Sequence, residues 1–446
     1  MQALAKVFAA LRRRCFNGTS HHKVQRQAPH MWKLTGPIQH ISAYHAELTR
    51  IRRDLHAHPE LGFEEHRTAT FVADELRRYG VDEVQTGIGR TGVVAVIRGR
   101  HAHESSPDTP ENGGAEPGVR AVGLRADMDA LPIKEDSDFP WRSSKGGVMH
   151  ACGHDGHTAM LLGAARYLAA TRNFAGTVHC IFQPGEEGLG GGKAMMDDGL
   201  FERFPTDWVF SMHNWPALPP GRIGLTPGPM MAAADRITIK VTAEGGHGAH
   251  PYMTIDPVLV SAHIITAVQS IVARNVNPLD EAVVSICAMR GGDLSAMSVI
   301  PRQVILVGTV RTFRAEVQAL VEKRLGRIVQ SVAQAFGASA ELHYERIYPA
   351  TINTPQVAHY AAEVAAELVG DAAVVRDLPP SMGAEDFAFM LQARPGAYLR
   401  LGQGCEAGGF LHTPRYDFND AVLPLGAALY ARLAERALSQ AAGTML

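Results

Sequence analysis

Potential metal ligands recur directly after short apolar segments in this chain of 446 residues. Asp127 follows one such segment, and the pair Glu186 and Glu187 follows another. His213 ends a third segment, and helical patterns lie between the three. Ligand sites in open α/β sheets lie beyond the carboxyl ends of the strands. The alternation of strand, turn and helix therefore predicts an α/β fold, with a mixed or parallel sheet flanked by helices.

A different pattern occupies residues 232–347 in the middle of the chain. Apolar periodicity predicts the order β-α-β-β-α-β there, which is typical of a ferredoxin-like α+β unit. The predicted elements are a strand at 235–243, a helix at 256–275, strands at 282–290 and 303–313, a helix at 315–336 and a strand at 338–345. Because ligand-type motifs resume after this unit, we expect it to be inserted into a catalytic domain formed by residues 35–231 and 348–446.

Two segments are expected to lie outside the folded core. Residues 1–34 contain no Asp or Glu but several arginines and lysines, and we expect a disordered extension there. An acid-free start that carries arginines is also typical of a transit peptide, and this alternative stays open. Residues 101–118 contain three prolines and few apolar side chains, which predicts an exposed loop between two strands.

Composition excludes several classes of protein. The formal net charge of −2 at pH 7 argues against a surface that binds nucleic acid. Five cysteines, an odd number spread along the chain, do not form a disulfide framework and favour reduced thiols in a cytoplasmic protein. No uninterrupted apolar run reaches the roughly 18 residues of a membrane-spanning helix, so we expect no membrane partner.

The densest group of ligand-type residues is the segment 149–157. Cys152 and His154 are separated there by one glycine. A lone cysteine is usually a core residue, but a thiol beside several imidazoles favours a site for a divalent metal ion. We interpret His150 and His157 as supporting residues rather than ligands.

The other candidate ligands lie far apart in the sequence. His213, His412 and one carboxylate of the pair Glu186 and Glu187 complete a typical set of metal ligands, which leaves the other carboxylate for proton transfer. Each has a simpler interpretation: a solvated acidic turn, a core histidine or a loop histidine. Asp127 could orient a ligand or cap a turn, and the alternatives for Asp129 are evenly balanced.

Together these motifs resemble the M20 family of metallopeptidases. The similarity is to its amidohydrolase branch, which contains hippurate hydrolases, N-acyl-amino-acid hydrolases and indole-acetyl-amino-acid hydrolases. It extends from about Ile38 to Ala437. The motifs that carry it are residues 53–61, 125–132, 183–187, 245–249 and 383–387, the turn with Cys152 and His154, and Met212 with His213.

The resemblance implies two adjacent divalent ions per subunit, with Mn²⁺ or Zn²⁺ favoured and Ni²⁺ or Co²⁺ as alternatives. It implies Glu186 as general base and acid and Asp127 as the carboxylate that supports the metal site. The metal ligands that it implies are Cys152, His154, Glu187, His213 and His412.

The resemblance also implies a homodimer formed through the inserted domain. His247 would then reach the active site of the partner subunit, although taken alone it is a turn histidine. Arg311 is the candidate that holds the carboxylate of the substrate. Ser298 stands where the family usually has asparagine, and this departure affects recognition of the same end of the substrate.

These expectations describe an enzyme that cleaves the amide bond of small N-acyl amino acids to a carboxylic acid and a free amino acid. A dipeptidase or carboxypeptidase of the same family would use the same residues. A non-catalytic carrier of metal or ligand is a further alternative, although an intact Glu186 disfavours it. A di-metal phosphoesterase is disfavoured because no basic cluster surrounds the motifs.

Overall fold

The computed structural model describes residue 32 and residues 35–100, 119–405 and 409–439. The expected loop 101–118, and the expected extension 1–34 apart from Trp32, lie outside these described residues. The chain divides into two compact units. Unit 1 consists of Met1–Gly228, Ile352–Pro379 and Phe389–Leu446, and unit 2 consists of Pro229–Thr351 and Pro380–Ala388.

The main segment of unit 2 is slightly longer at both ends than the insertion expected from the sequence. That insertion covers residues 232–347, whereas the main segment of unit 2 begins at Pro229 and ends at Thr351. Unit 2 also includes Pro380–Ala388, which the sequence patterns do not separate from the catalytic domain.

Helices of very different length alternate with the strands. In chain order, the described α-helices are α1 (Pro37–Ser42), α2 (His45–Ala57), α3 (His66–Arg78), α4 (His154–Thr171), α5 (Gly191–Asp197), α6 (Leu200–Arg203), α7 (Pro257–Val268), α8 (Ser270–Arg274), α9 (Ala315–Ala335), α10 (Pro355–Val369), α11 (Ala388–Ala393) and α12 (Leu423–Ala437).

The strands range from two to ten residues. In chain order, the described strands are β1 (Glu83–Ile88), β2 (Gly92–Arg98), β3 (Ala121–Asp127), β4 (Thr177–Gln183), β5 (Trp208–Trp215), β6 (Ile223–Gly224), β7 (Gly228–Met231), β8 (Ala233–Thr242), β9 (Gly246–His247), β10 (Ala282–Gly291), β11 (Val299–Ile300), β12 (Gln303–Thr312), β13 (Ser339–Tyr348), β14 (Thr351–Asn353), β15 (Val374–Val375) and β16 (Gly396–Gly402).

Unit 1 contains a mixed sheet with the strand order β1-β2-β4-β3-β5-β16-β6-β15. Its central strands β4, β3, β5 and β16 are parallel, and β2 and β6 pair antiparallel with their central neighbours. The predicted mixed α/β sheet flanked by helices is confirmed. Because parallel strands end at the same edge, the residues that follow β3, β4, β5 and β16 meet at that edge.

Helix α4 lies in the core of unit 1. Each residue from His154 to Ala165 is buried, because the sheet and the helices α2 and α12 pack around it. A helix that is apolar on all faces is typical of such a position. The polar side chains at the start of α4 are therefore buried too, and each needs a partner.

Unit 2 contains an antiparallel sheet with the strand order β10-β12-β8-β13. In β8 the buried residues Ile237, Ile239 and Val241 occur at every second position, which places one face of the sheet in the core. Helices α7 and α9 and the neighbouring strand β12 contribute further buried residues to this core. The element order β8-α7-β10-β12-α9-β13 confirms the predicted ferredoxin-like unit.

The strand β1 was not predicted from the sequence. Its residues Glu83, Gln85 and Thr86 are polar, and Thr86 and Gly87 are exposed because β1 is the edge strand of the sheet. An edge strand pairs along one side only and is partly exposed, so its sequence shows a weaker apolar pattern.

The segment Pro257–Arg274 passes a length and composition test for a membrane span, alone among the described helices. It contains α7 and α8, and 33% of it is buried. Val260, Ile264, Val268 and Ile271 recur at helical spacing and pack into the core of unit 2. The apolar character of the segment is thus also that of a core helix, which makes the test weak evidence for a membrane.

Candidate metal centre

The edge of the unit 1 sheet where the parallel strands end collects the predicted site residues of that unit. Asp127 is the last residue of β3 and pairs with Gln183, the last residue of β4. The turn that carries Glu186 and Glu187 follows directly. His213 lies near the end of β5. Strand pairing therefore brings together side chains that are far apart in the sequence.

A glycine allows the turn with Cys152 and His154 to approach this edge. Gly153 has a φ of 97°, in the left-handed region that favours glycine. A Cβ atom at this position would lie 2.4 Å from Asn214 Oδ1 and 2.5 Å from the Tyr416 hydroxyl. The turn therefore places Cys152 beside His213, with 3.3 Å between Sγ and Nε2.

The ligand-type atoms form overlapping groups in which each atom lies within 4.8 Å of the others. The thiol of Cys152 belongs both to a group with His154 and His213 and to a group with Glu187 and His412. A thiolate shared by two groups is suited to bridge two ions. Among these groups are Cys152-His154-His213, Cys152-Glu187-His412, His154-Glu186-Glu187 and Asp127-His154-His157.

Hydrogen bonds fix the tautomers of two candidate ligands. His213 Nδ1 donates to the carbonyl oxygen of Asn214 over 2.7 Å, so its Nε2 is left as a lone-pair donor facing Cys152. His154 Nδ1 donates to Asp129 Oδ1 over 3.1 Å. A metal-bound histidine almost always donates its other ring N–H in this way.

Asp129 links two candidate ligands. While Oδ1 accepts from His154, Oδ2 accepts the backbone N–H of Glu187 over 2.9 Å. Asp129 is buried, so both hydrogen bonds are shielded from water. From the sequence, a structural role in a turn and a functional role were equally supported for Asp129. Only its hydrogen bonds to His154 and to the amide of Glu187 favour the functional role.

His412 lies in the left-handed region, with a φ of 60°, which is uncommon for a residue other than glycine. Its backbone N–H donates to the carbonyl oxygen of Ala151, and its Nε2 lies 3.3 Å from the Cys152 sulfur. Nε2 also lies 3.1 Å from Glu187 Oε1. Left-handed backbone at such a residue is typical of functional sites.

Asp127 is buried among cations and imidazoles. Its Oδ2 accepts from Arg125 Nη1 over 2.8 Å, and its Oδ1 accepts from His157 Nδ1 over 2.6 Å. Burial opposes its charge, but His154, Arg125 and His157 hold the pKa of Asp127 well below its usual range. Asp127 is therefore an anion that faces His154, 3.8 Å from its Nε2.

The residues fit divalent cations. His154 Nε2 is buried and makes no hydrogen bond within the described part of the chain. Burial raises the pKa of the Cys152 thiol well above its usual range, and the carboxylates of Glu187 and Glu186 raise it further. Divalent cations at this site would stabilise the thiolate of Cys152 and balance the charge of the neighbouring carboxylates.

A second buried network supports the start of α4. His56 Nδ1 donates to Asp155 over 2.8 Å, and the same carboxylate lies 3.7 Å from the guanidinium of Arg52. Arg52 also pairs with Asp417 and Asp420, which precede α12. The motif 53–61 and its neighbour Arg52 thus anchor the residue after His154 from a distant part of the chain.

The remaining predicted residues lie in unit 2. His247 is exposed on β9, which pairs with β11 in a two-stranded ribbon. Ser298 precedes β11, and its carbonyl oxygen accepts the N–H of Gly248 over 2.7 Å. Arg311 lies on β12 in the four-stranded sheet, half-buried, and its Nε donates to Thr309 Oγ1 over 3.2 Å. The ribbon therefore brings His247 and Ser298 together, whereas Arg311 belongs to the other sheet.

Comparison with known families identifies the family to which this chain belongs. The model of the peptidase family M20/M25/M40 matches residues 123–436, a range that includes the candidate ligands. The chain belongs to this family. The resemblance read from the motifs is thereby confirmed.

Individual members of the family are similar over nearly their whole length. The hippurate hydrolase of Campylobacter jejuni is 41% identical over 89% of this chain and 98% of its own. Thermostable carboxypeptidase 1 of Saccharolobus solfataricus is 37% identical over 90% of this chain and 97% of its own. A Bacillus subtilis structure described as a dinuclear metal-binding M20 peptidase has a TM-score of 0.74 at 33% identity, covering 89% of this chain and 99% of that one.

Proposed function

We propose that this protein is a metal-dependent amidohydrolase that cleaves N-acyl amino acids to a carboxylic acid and a free amino acid. The observation that carries the proposal is the position of the buried carboxylate of Glu186. It lies within 4.8 Å of ligand atoms of both His154 and Glu187, on a turn that Asp129 holds from the other side. The 41% identity to a hippurate hydrolase supports an acylated substrate.

Two divalent ions are proposed as cofactors, held by Cys152, His154, Glu187, His213 and His412 with Asp127 in support. The thiolate and imidazole donors favour Zn²⁺, the carboxylates are compatible with Mn²⁺, and Ni²⁺ and Co²⁺ are alternatives. Such ions, when bound, supply an acidified water and polarise the carbonyl of the amide. The chain itself supplies the proton transfers and the binding of the substrate.

Glu186 is proposed as the group that moves the proton. Its carboxylate takes a proton from the attacking water and returns it to the nitrogen of the leaving amino acid. Glu187, the neighbour on the same turn, holds its oxygen Oε1 toward His412. The two neighbouring carboxylates thus have separate tasks, one as ligand and one as acid and base.

Substrate recognition is proposed for residues of unit 2. Arg311 would pair with the carboxylate of the amino-acid product, since a guanidinium binds carboxylates in a bidentate manner. Ser298 would offer a hydroxyl to the same group, and His247 would donate a hydrogen bond to the oxyanion.

A carboxypeptidase activity is the second candidate, favoured by the 37% identity to a thermostable carboxypeptidase. A substrate panel separates the two: hippurate, N-acetyl amino acids, indole-acetyl amino acids and unblocked dipeptides, assayed for release of amino acid. The metal-free protein would be reloaded with Mn²⁺, Zn²⁺, Ni²⁺ or Co²⁺. We expect metal-dependent release from acylated substrates, faster than from unblocked dipeptides.

The control for this panel is the metal-free protein, which should release no amino acid. Release from unblocked dipeptides alone would move the assignment to a peptidase. Stoichiometric metal binding without release from any substrate would contradict both activities and favour a carrier.

A homodimer formed through unit 2 is also proposed. Unit 2 exposes large apolar side chains, among them Leu279, Leu294 and Met297, which are 88%, 107% and 99% exposed. Such groups are typical of a surface that is covered in an assembly. In this dimer His247 would complete the active site of the partner subunit.

Mixed dimers test the role of His247. His247→Ala and Glu186→Ala chains, each inactive alone, would be mixed under conditions in which subunits exchange. We expect recovery of roughly a quarter of the wild-type activity, since half of the dimers are hybrids with one of two sites intact. No recovery in a mixture shown to contain hybrids would contradict action across subunits.

A further inference from the structure

The segment 60–65 contacts two of the turns that carry the metal centre. At its beginning, the carbonyl oxygen of Glu60 accepts the N–H of Ala130 over 2.8 Å, and Leu61 forms a parallel bridge with Ala130. Ala130 directly follows Asp129. The start of the segment is therefore fixed to the turn that holds His154 and Glu187.

The middle of the segment packs closely on the turn with Glu186. A Cβ atom on Gly62 would lie only 2.9 Å from Gly185 Cα and 3.5 Å from Asp129 Oδ2. The ring of Phe63 also lies close to Gly185, with atoms 3.3 Å from the position that a Cβ on Gly185 would occupy. The backbone of this segment thus approaches Gly185 more closely than any larger residue at Gly62 would allow.

At its end the segment makes a buried hydrogen bond to the same turn. Glu65 is fully buried, and its Oε1 accepts the backbone N–H of Gly185 over 2.8 Å. Its Oε2 accepts the hydroxyl of Thr91 over 2.5 Å. Glu65 also directly precedes α3 as its N-cap residue, and the α3 residues Val72 and Leu76 are buried in the core of unit 1. The partner of the Gly185 amide is therefore held by a rigid element.

We infer that Glu65 is a positioning residue that fixes the turn carrying Glu186 and Glu187 through the Gly185 amide. The expected effect of Glu65 on kcat rests on the proposed function, whereas its expected effect on the position of the turn does not. Asp129 holds the Glu187 amide from one side and Glu65 holds the Gly185 amide from the other. The segment 60–65 connects the two, so both carboxylates of the turn keep one position relative to His154.

The geometry of Glu65 matters more than its charge. Within the described residues, the side chain of Glu65 hydrogen-bonds to a backbone amide and a hydroxyl rather than to a cation. Burial raises the pKa of this carboxyl group, and the carboxylate of Asp129 raises it further. A glutamine could still accept from Gly185 and could donate to Thr91, so it should preserve the position of the turn.

The test compares Glu65→Ala with Glu65→Gln in the full-length protein at saturating Mn²⁺. We expect Glu65→Ala to lower kcat by about 10- to 100-fold with KM changed less than about 3-fold, because a small displacement of a catalytic group has effects of this size. Glu65→Gln should restore kcat to within about 3-fold of wild type, since the hydrogen bond remains. Hydrogen exchange of the amides in 184–187 should accelerate about 10-fold or more in Glu65→Ala only.

Glu435→Ala is the matched control, because Glu435 is also a buried carboxylate but lies on α12. It should lower the melting temperature without changing kcat or exchange in 184–187. If Glu65→Ala does not fold, Thr91→Val replaces it. That variant removes the hydroxyl donor of Glu65 and should accelerate exchange in the same turn.

The hydrogen-exchange measurement and the kcat measurement can give a negative result independently of each other. A wild-type protein without activity on any acylated substrate would contradict the proposed function, yet the exchange measurement would still test the role of Glu65. Unchanged exchange in 184–187, or a fall in kcat no larger than that of Glu435→Ala, would overturn the inference. An equal loss of kcat in Glu65→Gln and Glu65→Ala would overturn it as well.

Discussion

Replacing Cys152 with serine is expected to remove bound metal and, with it, hydrolase activity. Cys152 is the one residue that the group with His154 and His213 shares with the group of Glu187 and His412. A serine hydroxyl is a harder and much weaker ligand than a thiolate, so both groups lose their common donor. We expect metal affinity to fall by more than the ~10- to 100-fold that is typical for loss of a supporting residue.

Metal content per chain, measured after dialysis against a limited concentration of Zn²⁺ or Mn²⁺, checks this expectation. Cys180→Ala is the matched control, because Cys180 is also a free and buried thiol but lies in β4, outside the candidate groups. The control should keep its metal even if it loses some stability through a small cavity. A Cys152→Ser protein with full metal content would show that the thiolate is not a ligand.

Replacing Glu186 with glutamine is expected to abolish turnover while metal stays bound. The amide of glutamine has nearly the same shape as the carboxylate but cannot accept a proton from water at neutral pH. Loss of a general acid and base lowers kcat by about 10²- to 10⁴-fold. KM should change little, because the groups proposed to bind the substrate remain.

The neighbouring variant Glu187→Gln makes the comparison specific. Glu187 lies on the same turn and faces His412 and Cys152, so its replacement should lower metal affinity as well as turnover. Metal content and single-turnover rates of the two variants would be measured side by side. If Glu186→Gln loses its metal, Glu186 is a ligand; if it keeps wild-type kcat, another group transfers the proton.

The fold of both units could be predicted because its signals are local. In unit 2 the alternation of apolar residues in β8 and the helical spacing in α9 are each visible within one element. The helix α4 has a signal of the same local kind, since a glycine turn precedes it and it contains an Ala- and Leu-rich run. The edge strand β1 was not predicted, because it pairs along one side only and its partly exposed residues show little apolar periodicity.

The supporting residues of the metal centre depend on contacts that no local pattern shows. The hydrogen bond from Gly185 to Glu65 joins residues 120 positions apart. The two hydrogen bonds of Asp129 reach His154 and Glu187, which belong to different segments. The ion pair between Arg52 and Asp420 joins residues that are far apart in the sequence of unit 1. Packing of distant elements sets such distances, so a single sequence cannot reveal them.

The sequence by itself determined the α/β class, the inserted ferredoxin-like unit and the types of residue available for a metal site. These follow from periodicity, turn residues and ligand chemistry, which are properties of short segments. Only the tertiary structure decided that Cys152 is shared between two ligand groups, that His154 and His213 present Nε2, and that Asp129 and Glu65 hold the turn with Glu186. Those facts are distances and orientations between side chains, which exist only once parallel strands and the helices around them are packed together.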